Sequence, residues 1–153
     1  MRNRRRAVLG AAGAFVALAA AGLLKPVVAF AAAWNKDAFG AKSVADALKS
    51  LGIAGREAGG GILIEAPQIA ENGEVVPVEI SSSIPGTSSI AVMIEKNPFP
   101  LAGKFDFMDG ALPFVKINVK MGESSDVRVV ATAGGKHYVA TKEVKVTIGG
   151  CGG

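Results

Sequence analysis

Cys151 is the only cysteine in the sequence and the side chain best suited to covalent chemistry. Gly149 and Gly150 precede it, and Gly152 and Gly153 follow it. Glycine lacks a Cβ and is costly to order, so these four residues form a smooth, flexible arm around one thiol. The thiolate is the nucleophilic form, and an ordinary thiol is mostly protonated at neutral pH. Glycine neighbours bring no charge to activate it. A thiol of this kind suits a carrier, activated by whichever enzyme receives it. The residues before it, Lys142 to Ile148, read as the strand that anchors the arm. Three residue steps separate Ile148 from Cys151, a reach of roughly 10 Å.

Other chemistry is sparse. His137 is the only histidine, so a hydrolase triad cannot be built from one chain, and its place beside Gly135 reads as an ordinary hairpin position. Met93, Met108 and Met121 fall in strand patterns and read as core fillers rather than copper ligands. Asp106 and Asp109 are close in sequence but make no defined carboxylate pair. Gly59-Gly60-Gly61 lacks the lysine and hydroxyl residue of a phosphate loop and reads as a turn. Prenylation needs a cysteine fourth from the end with aliphatic neighbours, and Cys151 is third from the end. These readings give no catalytic residue, no metal site and no cofactor. The chain is expected to act as a carrier and not as an enzyme.

Residues 1–33 read as an export signal. Arg2, Arg4, Arg5 and Arg6 precede an 18-residue apolar run from Ala7 to Leu24, and small residues at Ala29, Ala31 and Ala33 offer cleavage sites. Arg5-Arg6-Ala7-Val8-Leu9 resembles the twin-arginine motif, with Arg4 and Val8 departing from its usual residues. The run is at the lower edge for a membrane span and rich in alanine and glycine, so a cleaved leader is expected, with no stable membrane insertion afterwards. The leader holds five of the 17 basic residues and none of the 13 acidic ones. The remainder carries 12 basic and 13 acidic residues, a net charge of −1. No basic patch with interleaved aromatics remains, which excludes a nucleic-acid reading. A single cysteine makes no internal disulfide, and in an oxidising compartment it points to intermolecular pairing or a reactive thiol.

The elements that must position the thiol follow from periodicity. Trp34 to Leu51 reads as a helix, with Ser43 as a capping residue, Val44, Ala47, Leu48 and Leu51 on one face, and Gly52 as its stop. From Ile62 the period becomes two. Strands are expected over Ile62–Ala66, Val76–Ile80, Ile90–Ile94, Lys104–Met108, Val115–Met121, Asp126–Thr132 and Lys136–Ile148, the last with a bend or split near Thr141. Pro77 implies an edge or a bulge. Asn72-Gly73, Pro85-Gly86 and Gly134-Gly135 mark turns, the second within a Ser81–Ser89 loop. About seven short strands without βαβ alternation point to an all-β, immunoglobulin-like β-sandwich with a short N-terminal helix. The expected organisation is a leader over 1–33, the sandwich over 34–148 and the arm over 149–153.

The tail from Val144 to Gly153 resembles the C-terminus of the SoxY family, the sulfur carriers of the periplasmic Sox thiosulfate-oxidising system. Lys42 to Leu48 resembles that family's early helix, Asn97-Pro98-Phe99-Pro100-Leu101 resembles its Asn-Pro-x-Pro-Leu loop, and the twin-arginine leader fits as well. The resemblance implies a heterodimer with SoxZ, exported already folded to the periplasm. It implies that Cys151 holds sulfur intermediates as covalent cargo, with Gly149, Gly150, Gly152 and Gly153 as the swinging arm. It further implies transient partners: SoxAX to load thiosulfate, SoxB to release sulfate, and in some organisms SoxCD. The alternative is an exported immunoglobulin-like interaction module that dimerises through a Cys151 disulfide. A smaller ubiquitin-like carrier would place sulfur on the Gly153 carboxyl group instead, and an export leader argues against it.

Overall fold

In the computed structural model, residues 35–147 are described. The expected leader, Ile148 and the whole arm, including Cys151, lie outside the described residues.

The expected single helix is two. Helix α1 spans Lys36–Gly40 and α2 spans Val44–Ser50. Each has its own cap: Ala38 N–H donates to Asn35 Oδ1 at 3.0 Å, and Asp46 N–H donates to Ser43 Oγ at 3.1 Å. Gly40 is a poor helix former, Ala41 turns extended, and Ser43 restarts the helix, so the apolar periodicity from Val44 begins only after a break. Gly52, at φ +74°, ends α2 as expected, because a left-handed residue after the last turn favours glycine.

Nine strands follow among the described residues: β1 (Glu57–Ala58), β2 (Ile62–Glu65), β3 (Ile69–Ala70), β4 (Val76–Ser82), β5 (Thr87–Ile94), β6 (Leu101–Asp106), β7 (Phe114–Val119), β8 (Ser125–Ala133) and β9 (Lys136–Val146). The seven longer ones are those expected from periodicity. They form an immunoglobulin-like sandwich of two sheets. One has the order β1-β9-β8-β5-β6, with β3 also on β9; the other has the order β2-β4-β7. The two-residue strands β1 and β3 were not legible as strands. Both pair in parallel with β9, at Tyr138–Val139 and at Lys145–Val146.

The main core lies between the sheets. Ile64, Val76, Val78, Ile80, Val115 and Val119 of the smaller sheet meet Ile90, Val92, Ile94, Val127, Val129 and Val144 of the larger. A second core lies on the other face of the larger sheet, where Ala91, Met93, Leu101 and Val130 are covered by Ala38, Ala47, Leu48 and Ile53. Strand β5 is buried on both faces, which explains its continuous apolar run Ile90-Ala91-Val92-Met93-Ile94.

Several boundaries shift for physical reasons. Strand β6 starts at Leu101 and stops at Asp106. Its register slips by one residue between Val92 and Met93, which hid the period of two. Met108 therefore falls outside the strand and is 85% exposed, whereas Met93 and Met121 are fully buried as core fillers. The β4–β5 connection is only residues 83–86. Pro77 sits in the central strand of its sheet, yet β2 pairs with β4 only from Glu79 to Ser82, so at Pro77 the strand has a neighbour on one side alone. Strand β9 neither bends out of register nor splits at Thr141. It pairs with β8 without interruption from Lys136 to Val144.

Candidate functional site

The candidate site is the end of β9, beyond which the expected arm follows in sequence. Pairing with β8 runs out at Ser125↔Val144. Beyond it a side chain replaces the ladder: Val146 N–H donates to Ser124 Oγ at 2.9 Å, and that hydroxyl lies 3.4 Å from Val146 C=O as a donor. On the opposite edge the β3 segment continues the sheet. Lys145 N–H donates to Gln68 C=O at 3.0 Å, and Thr147 N–H donates to Ala70 C=O at 3.1 Å. Thr147 Oγ1 adds a bond to Glu71 C=O at 3.0 Å. The root is thus held from both sides at Val146 and on one side at Thr147.

The loops behind it are fastened to one another. Asn97, first residue of the Asn-Pro-Phe-Pro-Leu loop, donates through Nδ2 to Lys120 C=O at 2.7 Å and accepts Gly122 N–H at 3.3 Å. Lys96 N–H donates to Ser125 Oγ at 3.1 Å, and Met121 N–H donates to Gly73 C=O at 2.7 Å. These bonds join the β5–β6, β7–β8 and β3–β4 connections into one platform at the arm's end of the sandwich. Lys42 Nζ stands 3.5 Å from the centre of the Phe99 ring in the same loop, a cation–π contact. Periodicity reveals neither Ser124 nor the β3 segment, because one is a loop hydroxyl and the other too short to show a pattern.

Four residue steps separate Thr147 from Cys151, a reach of at most about 14 Å. His137 lies at the opposite end of β9, nine residues from Val146 and about 30 Å along an extended strand. Its Nδ1 is 3.1 Å from Thr132 Oγ1. It is out of reach as a base for Cys151. Asp106 pairs with Lys104, and Asp109 sits in the exposed β6–β7 loop; the two do not form a carboxylate dyad. Glu57 raises the pKa of Lys136 by a hydrogen bond and by its charge, with a smaller contribution from Tyr138, but this pair sits at the hairpin end. Among the described residues no cluster of His, Cys, Asp or Glu could hold a metal ion. No helix among them is long and apolar enough to cross a membrane. The described surface around the root supplies an anchor for the chain that follows.

The sequence profile of the family described as "Sulfur oxidation protein SoxY" matches residues 49–151, so its last matched position is Cys151. Among solved structures, the sulfur carrier protein SoxY from Chlorobium limicola f thiosulfatophilum is similar at 37% identity. That match covers 69% of this chain and 97% of that one, with a TM-score of 0.64. An engineered protein is similar over 60% of this chain and 21% of its own at 15% identity, and its TM-score of 0.40 carries no argument. No curated protein sequence matches the chain.

Proposed function

The chain belongs to the SoxY family, and from that premise we propose that it is a periplasmic carrier holding sulfur intermediates covalently on Cys151. The observation that carries this reading is the root of the arm. Main-chain and hydroxyl bonds fix β9 up to Thr147. The sole cysteine follows four residues later among glycines. A fixed root and a slim tether let one thiol visit several enzymes while the domain itself stays unchanged.

In this reading residues 1–33 are a twin-arginine signal cleaved between Ala31 and Ala33, residues 34–148 are the SoxY domain, and residues 149–153 are the arm. The protein pairs with SoxZ and is not itself an enzyme. Loading by SoxAX joins the Cys151 sulfur to the sulfane sulfur of thiosulfate; one proton and two electrons leave, the electrons to the haem enzyme. SoxB then adds water across the terminal sulfur–sulfur bond, releasing sulfate and a proton and leaving a persulfide on Cys151. SoxCD, where present, oxidises that remaining sulfur. No cofactor resides on the carrier, and the sulfur species are its cargo.

The test is Cys151→Ser in the complex with SoxZ. Thiosulfate-dependent turnover is expected to vanish while the fold and the pairing with SoxZ persist. Retained turnover would refute the carrier assignment.

A further inference from the structure

The outer face of the larger sheet is only partly covered by the helices. Between α2, the 52–56 segment and that face lies an open groove of about 560 Å³. Its accessible apolar wall is the half-buried Val44 with the exposed Ala45 and Ala54, laid over the buried Leu48 and Ile53. Its floor holds Arg128, which stands two residues before Val130 on β8 and therefore shares its helix-side face. Arg128 Nε donates to Glu95 Oε1 at 2.6 Å. Two more cations, Lys49 and Arg56, line the same groove, and their side chains have no partner among the described residues. Three cations thus face one carboxylate, in a body whose net charge is −1 once the leader is removed. A second hollow, of about 400 Å³, shares Gly52, Ala54 and Arg56 with the first and runs on to the β8–β9 hairpin. The Lys136–Glu57 pair in it is already neutralised. The unmatched positive charge therefore sits beside the apolar wall.

We propose that this groove binds an acidic, apolar segment of a partner protein. The two hollows share lining residues and together run from α2 to the β8–β9 hairpin, a path that suits an extended chain better than a compact metabolite. Charge complementarity sets carboxylates against Lys49 and Arg56, with apolar side chains on Val44, Ala45 and Ala54. Arg128 is already committed to Glu95 and holds the floor in shape. The groove lies away from the arm's root: Arg128 is opposite Thr141, six residues before Thr147 and about 20 Å along β9. A partner seated there leaves the root open. This site goes beyond the carrier reading and stands without it.

The test is an NMR titration of the isotope-labelled full chain with the blocked peptide Leu-Asp-Leu-Glu-Leu and with its uncharged counterpart Leu-Asn-Leu-Gln-Leu. The acidic peptide is expected to shift the amide signals of residues 44–56 and of Arg128, and to bind at least about ten-fold more tightly than the uncharged one. The double variant Lys49→Glu/Arg56→Glu, altered only at exposed side chains, is expected to weaken that binding by at least about ten-fold with the rest of its spectrum unchanged. Equal affinity for the two peptides, shifts mapping elsewhere or no binding would overturn the proposal. So would a self-association that the double variant abolishes while the peptide fails to bind, because it would assign the groove to a second copy of the chain.

Discussion

The two ends of β9 are built in opposite ways. At the hairpin end the chain turns back on itself: Gly134 and Gly135 take φ +56° and +77°, and β8 and β9 pair directly across them. Two consecutive left-handed residues form the tight turn whose twist matches the strands, so this end is specified by its own local sequence. At the arm end β8 no longer pairs with Val146. On that side the Ser124 hydroxyl takes its place, and on the other the main chain of residues 68–71 pairs in parallel, segments 22 and about 76 positions away in sequence. The hairpin end is therefore locally encoded and the arm end is assembled by the tertiary fold. The consequence is functional. A turn would consume the strand's end, whereas a clamp at its last residues leaves the following chain available as a tether.

The comparison can be broken most severely at the thiol. Cys151→Ser removes the proposed cargo site without touching either end of β9, so turnover should disappear with no change in melting temperature. Next, replacing Gly150 and Gly152 together by valine stiffens and thickens the arm. Sulfur loading by the partner enzyme should slow by at least about ten-fold, a barrier change of about 1.4 kcal/mol, while a small thiol reagent still labels Cys151. Unchanged loading would show that the slimness of the arm is irrelevant.

Smaller changes sharpen the contrast between the two ends. Gly135→Ala places a Cβ at a left-handed position and should cost about 1–2 kcal/mol, lowering the melting temperature by several degrees. Sulfur loading should be unaffected, because the hairpin plays no part in it. Ser124→Ala should cost about 1 kcal/mol. Its signature is local: hydrogen exchange at Val146 should accelerate more than at Lys136 or Tyr138. Equal acceleration at both ends would mean that the root is not a separate clamp. Smallest of all, Lys136→Ala breaks an exposed, solvent-screened ion pair with Glu57 and should leave the melting temperature essentially unchanged.

The sequence made the sandwich legible because its longer strands alternate, as Val76, Val78 and Ile80 do, or run continuously apolar, as Ile90 to Ile94 do. It put Cys151 forward as the candidate site because a lone thiol among four glycines has few structural uses. It concealed what depends on distance in space. The β6 register slip displaced that strand's boundaries, and the helix break at Ala41 lay ahead of the apolar rhythm that starts at Val44, where no period marked it. The clamp at Val146 depends on Ser124 and Gln68 to Glu71, none of which carries a pattern pointing to β9. The Asn97 loop was legible only as a resemblance. The fold supplies its reason, in the bonds from Asn97 to Lys120 and Gly122 that brace the arm's end of the sandwich.

The central claim is that Cys151 carries sulfur. The most direct measurement is the intact mass of the protein isolated from its native periplasm after thiosulfate feeding, with and without reductant, followed by mapping of any adduct. The account predicts a chain that has lost residues 1–33 or nearly so and bears a reductant-removable sulfur or thiosulfonate adduct on Cys151. A bare thiol throughout, or only a dimer linked through Cys151, would contradict it and leave an immunoglobulin-like interaction module in its place.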